Sequence, residues 1–147
     1  MNIKSILVVC VGNMCRSPTA EYLLRSKLTG VQVTSAGLMA RENKPPCSKA
    51  TDIAAINGLN ISAHKTRKLT QEMMVQNDLI LAMESVHTDE ILSTFPFAHG
   101  KVILFGKWDE NSEIQDPYRQ SDEMYQAVFM KLNEHAQKWV KKLEHLK

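Results

Sequence analysis

The chain has 147 residues, 44% of them hydrophobic, a length and composition that suit one domain, residues 1–147, with a substantial core. A formal net charge of +2, with basic residues spread along the chain, argues against a nucleic-acid binder or a membrane-surface protein. Three irregularly spaced cysteines do not make a secreted disulfide framework, and the opening apolar run of about seven residues is too short for a signal peptide or a membrane span, so a cytoplasmic location is expected.

Ile3 to Val9 is short, aliphatic and β-branched, bounded by Asn2 and Gly12, and predicts a buried strand. Ser17 reads as an N-cap and Pro18 as the first helical residue, with Ala20, Leu23, Leu24 and Leu28 following at helical spacing to a stop near Thr29-Gly30. Val31, Val33 and Thr34-Ser35-Ala36 form a second strand, closing a right-handed βαβ unit. The loop from Gly37 to Cys47, with Pro45-Pro46, is expected to rim the crevice at the strands' carboxyl ends. A helix over Ser48 to Asn57 is expected to turn Ile53, Ala54 and Ile56 inward. Ile61 to Leu69 is a basic connection read as solvated rather than as a phosphopeptide patch, with His64 structural.

Thr70 caps a further helix, and Asp78 to Met83 is an apolar third strand of the kind covered on both faces. Glu84 to Ser93 reads as a helix, Pro96 and Gly100 punctuate, and Lys101 to Phe105 is a fourth strand. Gly106 to Gln120 is polar, acidic and long for a connector, which marks it as functional. Ser121 to Leu146 is an amphipathic helix with Met124, Val128, Leu132, Ala136, Trp139 and Leu143 on its packing face. The alternation predicts a three-layer α/β/α domain around a four-stranded parallel sheet, with a phosphate loop after the first strand.

The chemistry centres on Cys10 to Pro18. A strand-to-helix turn presents unpaired backbone N–H groups at the positive end of a helix dipole, which suits an anion and phosphate above all. Gly12 is expected to take a conformation closed to other residues, Asn13 tolerates the left-handed region, and Arg16 offers a planar fork to two phosphoryl oxygens. Such surroundings favour the thiolate of Cys10. Alone, Cys10 and Arg16 read as a buried strand cysteine and a surface charge; Gly12, Asn13, Ser17 and Pro18, each meeting a separate demand of an anion loop, reverse that reading in favour of the cradle. A proton donor is sought in the acidic loop among Asp109, Glu110, Glu113 and Asp116. Pro117 biases Asp116 to an extended backbone and favours it, although Asp-Pro is also an ordinary turn starter.

Cys10-Val11-Gly12-Asn13-Met14-Cys15-Arg16-Ser17-Pro18 resembles the signature of the low-molecular-weight protein tyrosine phosphatases. Ser35-Ala36-Gly37, Asp78 to Met83, Leu104 to Asp109 and Asp116-Pro117-Tyr118 match the family in order, and the set is similar to its bacterial branch. The resemblance implies strand order 2-1-3-4 with the cysteine loop at the switch point, Cys10 as nucleophile and Asp116 as acid. It also implies a phosphoryl site built from Arg16 and the backbone of Val11, Gly12, Asn13, Met14, Cys15 and Ser17. The Ser17 hydroxyl would bond the sulfur, Asn13 would set loop geometry and Tyr118 would pack on the substrate ring. Leu38 stands where relatives often carry a groove-lining aromatic, and Arg119 where many have a second tyrosine.

Neither metal nor cofactor is expected, because the chemistry needs none and the five histidines show no His-x3-His pair. The implied partner is a phosphotyrosine protein, specifically a bacterial tyrosine kinase that autophosphorylates and controls capsule or exopolysaccharide export, with the enzyme acting as a monomer. Two rivals share the loop. An arsenate reductase of the same fold needs a further cysteine pair downstream, and none follows Cys47; a phosphocarrier module lacks the arginine and the acid, here Arg16 and Asp116. Cys15 reads either as a packed thiol or as the partner of Cys10 in a reversible disulfide.

Overall fold

A computed structural model of the chain describes residues 2–145. Four strands, β1 (Ser5–Cys10), β2 (Gln32–Gly37), β3 (Leu79–Ala82) and β4 (Val102–Leu104), form one parallel sheet in the order β2-β1-β3-β4. The helices are α1 (Arg16–Lys27), α2 (Ser48–Ile56), α3 (Gln71–Gln76), α4 (Ser85–Thr94) and α5 (Asp122–His145), with a short 3-10 turn at Pro96–Ala98. The expected strand order and layer arrangement are those observed; the expected last residue of the final helix, Leu146, lies outside the described residues.

Side chains alternate across each strand, so β1 divides between two cores. Ile6, Val8 and Cys10 face the layer of α1, α2 and α5 with Leu79 and Leu81, whereas Leu7 and Val9 face the opposite side with Ile80, Ala82, Met74 of α3 and Ile91 of α4. A central strand with no solvated face explains the unbroken apolar run in the sequence. α5 lies along α1 through Val128, Leu132, Ala136 and Trp139, all buried, and the Trp139 indole donates to the Phe105 carbonyl at 2.7 Å. That bond anchors the start of the long acidic loop.

Three local expectations are corrected. α1 begins at Arg16, with Cys15 at its N-cap and no side-chain cap, and Ser17 sits inside the first turn because its hydroxyl is committed elsewhere. Pro18 is tolerated there because the amides of the first turn have no intrahelical acceptor to lose. The left-handed residue of the loop is Asn13 (φ 57°) rather than Gly12, where an added Cβ would make only an ordinary contact at 3.9 Å. Ile56 is 77% exposed: α2 meets α5 through the small residues Ala50 and Ala54, one turn apart, and Ile56 projects from another face.

β2 ends against the cysteine loop at Gly37. A Cβ there would lie 2.5 Å from the Val11 carbonyl oxygen and 2.9 Å from the Asn13 amide, so only glycine permits the approach. Leu38 and Met39 then donate to the Cys10 and Val11 carbonyls, both at 2.9 Å. The loop is thus stitched to the strand beside it.

Candidate active site

The turn from Cys10 to Arg16 joins the end of β1, the central strand at the switch point, to the start of α1. Behind it lies a buried polar network whose donors can be assigned one by one. Asn13 Nδ2 donates to Ser17 Oγ at 2.8 Å and to Ser35 Oγ at 2.9 Å, and Ser35 in turn donates to Glu21 Oε1 at 2.6 Å. Having accepted from Asn13, the Ser17 hydroxyl is free to donate to Cys10 Sγ, 2.9 Å away. Asn13 Oδ1 accepts the Arg67 amide at 2.9 Å. The Asn13 carbonyl lies 2.9 Å from His64 Nε2; a carbonyl only accepts, so that nitrogen carries the proton. Burial lowers the His64 pKa below its ordinary 6.5, the Asn13 bond and Glu21 opposing, so the ring is neutral.

On the other side, Arg16 is 2% exposed and donates through Nη1 to the Ile114 carbonyl at 2.8 Å. The same nitrogen lies 3.6 Å from Glu84 Oε2, which His87 Nε2 approaches at 3.0 Å, and Nη2 lies 3.7 Å from Asp116 Oδ2. A guanidinium so buried needs these partners, and they fix the direction of its fork. Ile114 is held by its own amide bond to the Met83 carbonyl at 2.9 Å, so the long loop reaches Arg16 as an extension from the end of β3.

Of the four acids considered in that loop, one borders the cavity at the mouth of the turn. Asp116 does so with its side chain 49% exposed, its Oδ1 accepting the Tyr118 amide at 3.0 Å, so the residue both starts a turn and presents a carboxyl group. Glu113 instead accepts the Ser85 amide and hydroxyl at 2.6 and 2.7 Å, which engages it at the start of α4. The cavity, about 290 Å³, is walled by Cys10, Val11, Gly12, Met14, Cys15 and Arg16 on one side and by Cys47, Asp116 and Tyr118 on the other. The side chains of Asn13 and Ser17 stand behind the loop rather than in the cavity, so any contact of these residues with a bound anion is through their backbone amides. Leu38 does not border it either, and packs half-buried against the Leu7 and Val9 core.

Sequence reasoning missed Cys47, His64 and Arg67 as parts of this neighbourhood. The basic connection is solvated at Lys65 and Lys68, as expected, but Thr66 is buried, and Arg67 reaches the loop through its amide and the Ser35 carbonyl through Nε at 3.2 Å. Cys47 donates its amide to the Met14 carbonyl at 2.9 Å, which sets its thiol beside that of Cys15. The two thiols influence each other: the neighbouring Cys47, together with burial, pushes Cys15 up, and the neighbouring Cys15 draws Cys47 down to about 6. The only sequence signal for Cys47 was its place in a loop expected to rim the crevice.

A buried arginine and a strand-end cysteine bordering one cavity at the switch point of a 2-1-3-4 sheet fit a phosphatase of the low-molecular-weight class. The chain belongs to that family: residues 5–147 match the model of the low molecular weight phosphotyrosine protein phosphatases. It is 46% identical over 143 residues to the low molecular weight protein-tyrosine-phosphatase Etp of Escherichia coli K12, covering 97% of each chain. Among solved structures it superposes on Vibrio vulnificus Wzb in complex with benzylphosphonate with a TM-score of 0.93, at 40% identity, covering 97% of this chain and 100% of that one. It also matches the YwlE arginine phosphatase of Geobacillus stearothermophilus, TM-score 0.92 and 34% identity, covering 97% and 94%. The protein is a hydrolase of the protein tyrosine phosphatase type.

Proposed function

We propose that the chain hydrolyses phosphotyrosine by double displacement at Cys10. The observation that carries this reading is the juxtaposition, around one cavity, of Cys10, the buried Arg16 guanidinium and the Asp116 carboxylate, with Arg16 Nη2 and Asp116 Oδ2 3.7 Å apart. An entering phosphate dianion takes the place of Asp116 as partner of the guanidinium, which leaves the carboxyl group beside the leaving oxygen. The Cys10 thiolate then attacks phosphorus, the P–O bond to the phenol breaks, and Asp116 gives its proton to the departing oxygen. The loop amides of Val11, Gly12, Asn13, Met14, Cys15 and Ser17 and the Arg16 fork are aimed at the three equatorial oxygens of the transition state. In the second displacement the Asp116 carboxylate takes a proton from the attacking water, and inorganic phosphate leaves as the Ser17 hydroxyl stabilises the departing sulfur.

The exposed apolar side chains of Met14 and Tyr118, with Met39 on the adjoining loop, favour an aromatic phosphoester. Following the family resemblance, the enzyme acts in the cytoplasm and its partner is an autophosphorylated tyrosine kinase that controls capsule or exopolysaccharide export. The test is steady-state hydrolysis by purified protein. Cys10→Ser is expected to abolish turnover, and Asp116→Ala to lower kcat by about 10²–10⁴-fold. The Asp116→Ala loss should be larger for phosphotyrosine than for p-nitrophenyl phosphate, whose leaving group needs less protonation. Turnover by Cys10→Ser at the wild-type rate overturns the mechanism. A phosphoarginine peptide cleaved faster than the phosphorylated kinase tail of the same organism overturns the substrate assignment.

A further inference from the structure

The mechanism above uses one of three thiols that face a single cavity. Cys10, Cys15 and Cys47 all border it and none is in a disulfide; Cys10 is bonded to Ser17, and the Cys47 thiol reaches the Tyr125 hydroxyl at 3.9 Å. The pairing of Cys15 with Cys47 is imposed by the backbone, since the Cys47 amide is fixed on the Met14 carbonyl, the residue before Cys15. The loop that carries Cys47 thereby brings a third sulfur to a two-cysteine turn. We propose that Cys47 is the terminal acceptor of a thiol relay, so that the protein oxidised by a hydroperoxide rests with a Cys15–Cys47 disulfide and with Cys10 returned to the thiolate.

The relay balances in three steps. A hydroperoxide transfers one oxygen to the Cys10 sulfur, giving the sulfenic acid, and departs as the corresponding alcohol or as water. Cys15 attacks the Cys10 sulfur, its proton and the sulfenic hydroxyl leave together as water, and a Cys10–Cys15 disulfide forms. The Cys47 thiolate next attacks the Cys15 sulfur; the Cys15–Cys47 bond forms, the Cys10–Cys15 bond breaks, and the electron pair returns to Cys10 as thiolate. In sum, one hydroperoxide is reduced by the two electrons of Cys15 and Cys47. The direction of the exchange follows from the surroundings. Cys10 leaves into a turn of backbone amides with the Ser17 hydroxyl 2.9 Å from its sulfur. Cys47 stands at the same cavity wall with its amide held on the Met14 carbonyl, and the Ala50 amide and Tyr125, which remain when Cys15 is oxidised, favour its thiolate as its proton passes to solvent.

The consequence for turnover rests on the reading of Cys10 as nucleophile, but the disulfide map does not, so the two fail separately. The experiment is limited oxidation of the full chain by hydrogen peroxide, alkylation of the remaining thiols and peptide mass mapping, alongside residual hydrolysis of p-nitrophenyl phosphate. Wild type is expected to yield Cys15–Cys47 with Cys10 alkylated and turnover retained. Cys47→Ser, and Cys47→Ala as a second variant, should stop at Cys10–Cys15 and lose their own pre-oxidation activity until a dithiol reductant is added. In Cys10→Ser, Cys15 and Cys47 should stay alkylatable over the same exposure. A Cys10–Cys15 disulfide as the end product in wild type overturns the proposal. So does Cys15–Cys47 forming in Cys10→Ser at the wild-type rate, because the pair would then oxidise without passing through Cys10.

Discussion

Asn13 does most to hold the turn, because its backbone and its side chain are both committed. Its left-handed φ of 57° reverses the chain, its amide group donates to Ser17 and Ser35, and its two oxygens accept from Arg67 and His64. Asn13→Ala leaves the Arg67 amide without its acceptor, at a cost of about 1–3 kcal/mol, removes the bond that each of the Ser17 and Ser35 hydroxyls accepts, and puts alanine in a left-handed backbone. We expect a lower urea midpoint together with a fall in kcat larger than any change in KM for p-nitrophenyl phosphate. An unchanged kcat with lowered stability would show that the network supports folding alone. Arg16 is likewise set by partners far from it in sequence, Glu84 and Ile114, and Arg16→Lys, which keeps the charge but not the fork, is expected to remove most turnover.

At the level of elements, the cysteine loop depends on how closely β2 can approach. Gly37→Ala places a methyl group 2.5 Å from the Val11 carbonyl, against backbone that cannot swing aside, and should destabilise by about 1–3 kcal/mol while lowering activity. Thermal unfolding and turnover measured on the same sample check both effects. α2 offers a contrast between its faces. Ile56→Lys, on the exposed side, should change stability by less than about 0.5 kcal/mol, whereas Ala54→Leu, in the contact with α5, should cost about 1–3 kcal/mol. Equal effects of the two would show that the packing face had been misassigned.

Across the whole molecule, stability should fall on mild acidification. His64, His87 and His135 are buried, and burial is the largest cause lowering each pKa below 6.5, so the folded state resists their protonation while the unfolded chain accepts it. Groups lowered in this way contribute stability that is complete well above 6.5 and is lost as pH falls from there through their folded values. Cys47, drawn down to about 6, acts in the same direction. The depressed carboxylates of Asp78 and Glu113 titrate below this window. The urea midpoint at pH 5.5 is therefore expected to lie below that at pH 7.5, and His64→Gln to narrow the gap. A midpoint constant over that range would contradict the burial of these rings as neutral bases.

The layer order and the strand-turn-helix around Cys10 were legible in the residues, because each is written in neighbours along the chain, whereas the preference for Asp116 over an ordinary Asp-Pro turn came from the family resemblance. Apolar runs of strand length, helical spacing from Ala20 to Leu28 and from Met124 to Leu143, and a cluster of turn-forming residues are local signals. What only the tertiary structure decided lies between strand ends. Ser17 reads as a cap along the chain, but Asn13 and Cys10 claim its hydroxyl; Ile56 reads as buried, but α5 packs on the alanine face of α2. His64 and Arg67 reach Asn13 from more than fifty positions away, and Cys47 meets Cys15 from a separate loop. A parallel sheet gathers the loops at its carboxyl edge regardless of their spacing in sequence, so periodicity identifies the loops but cannot say which of their side chains will touch.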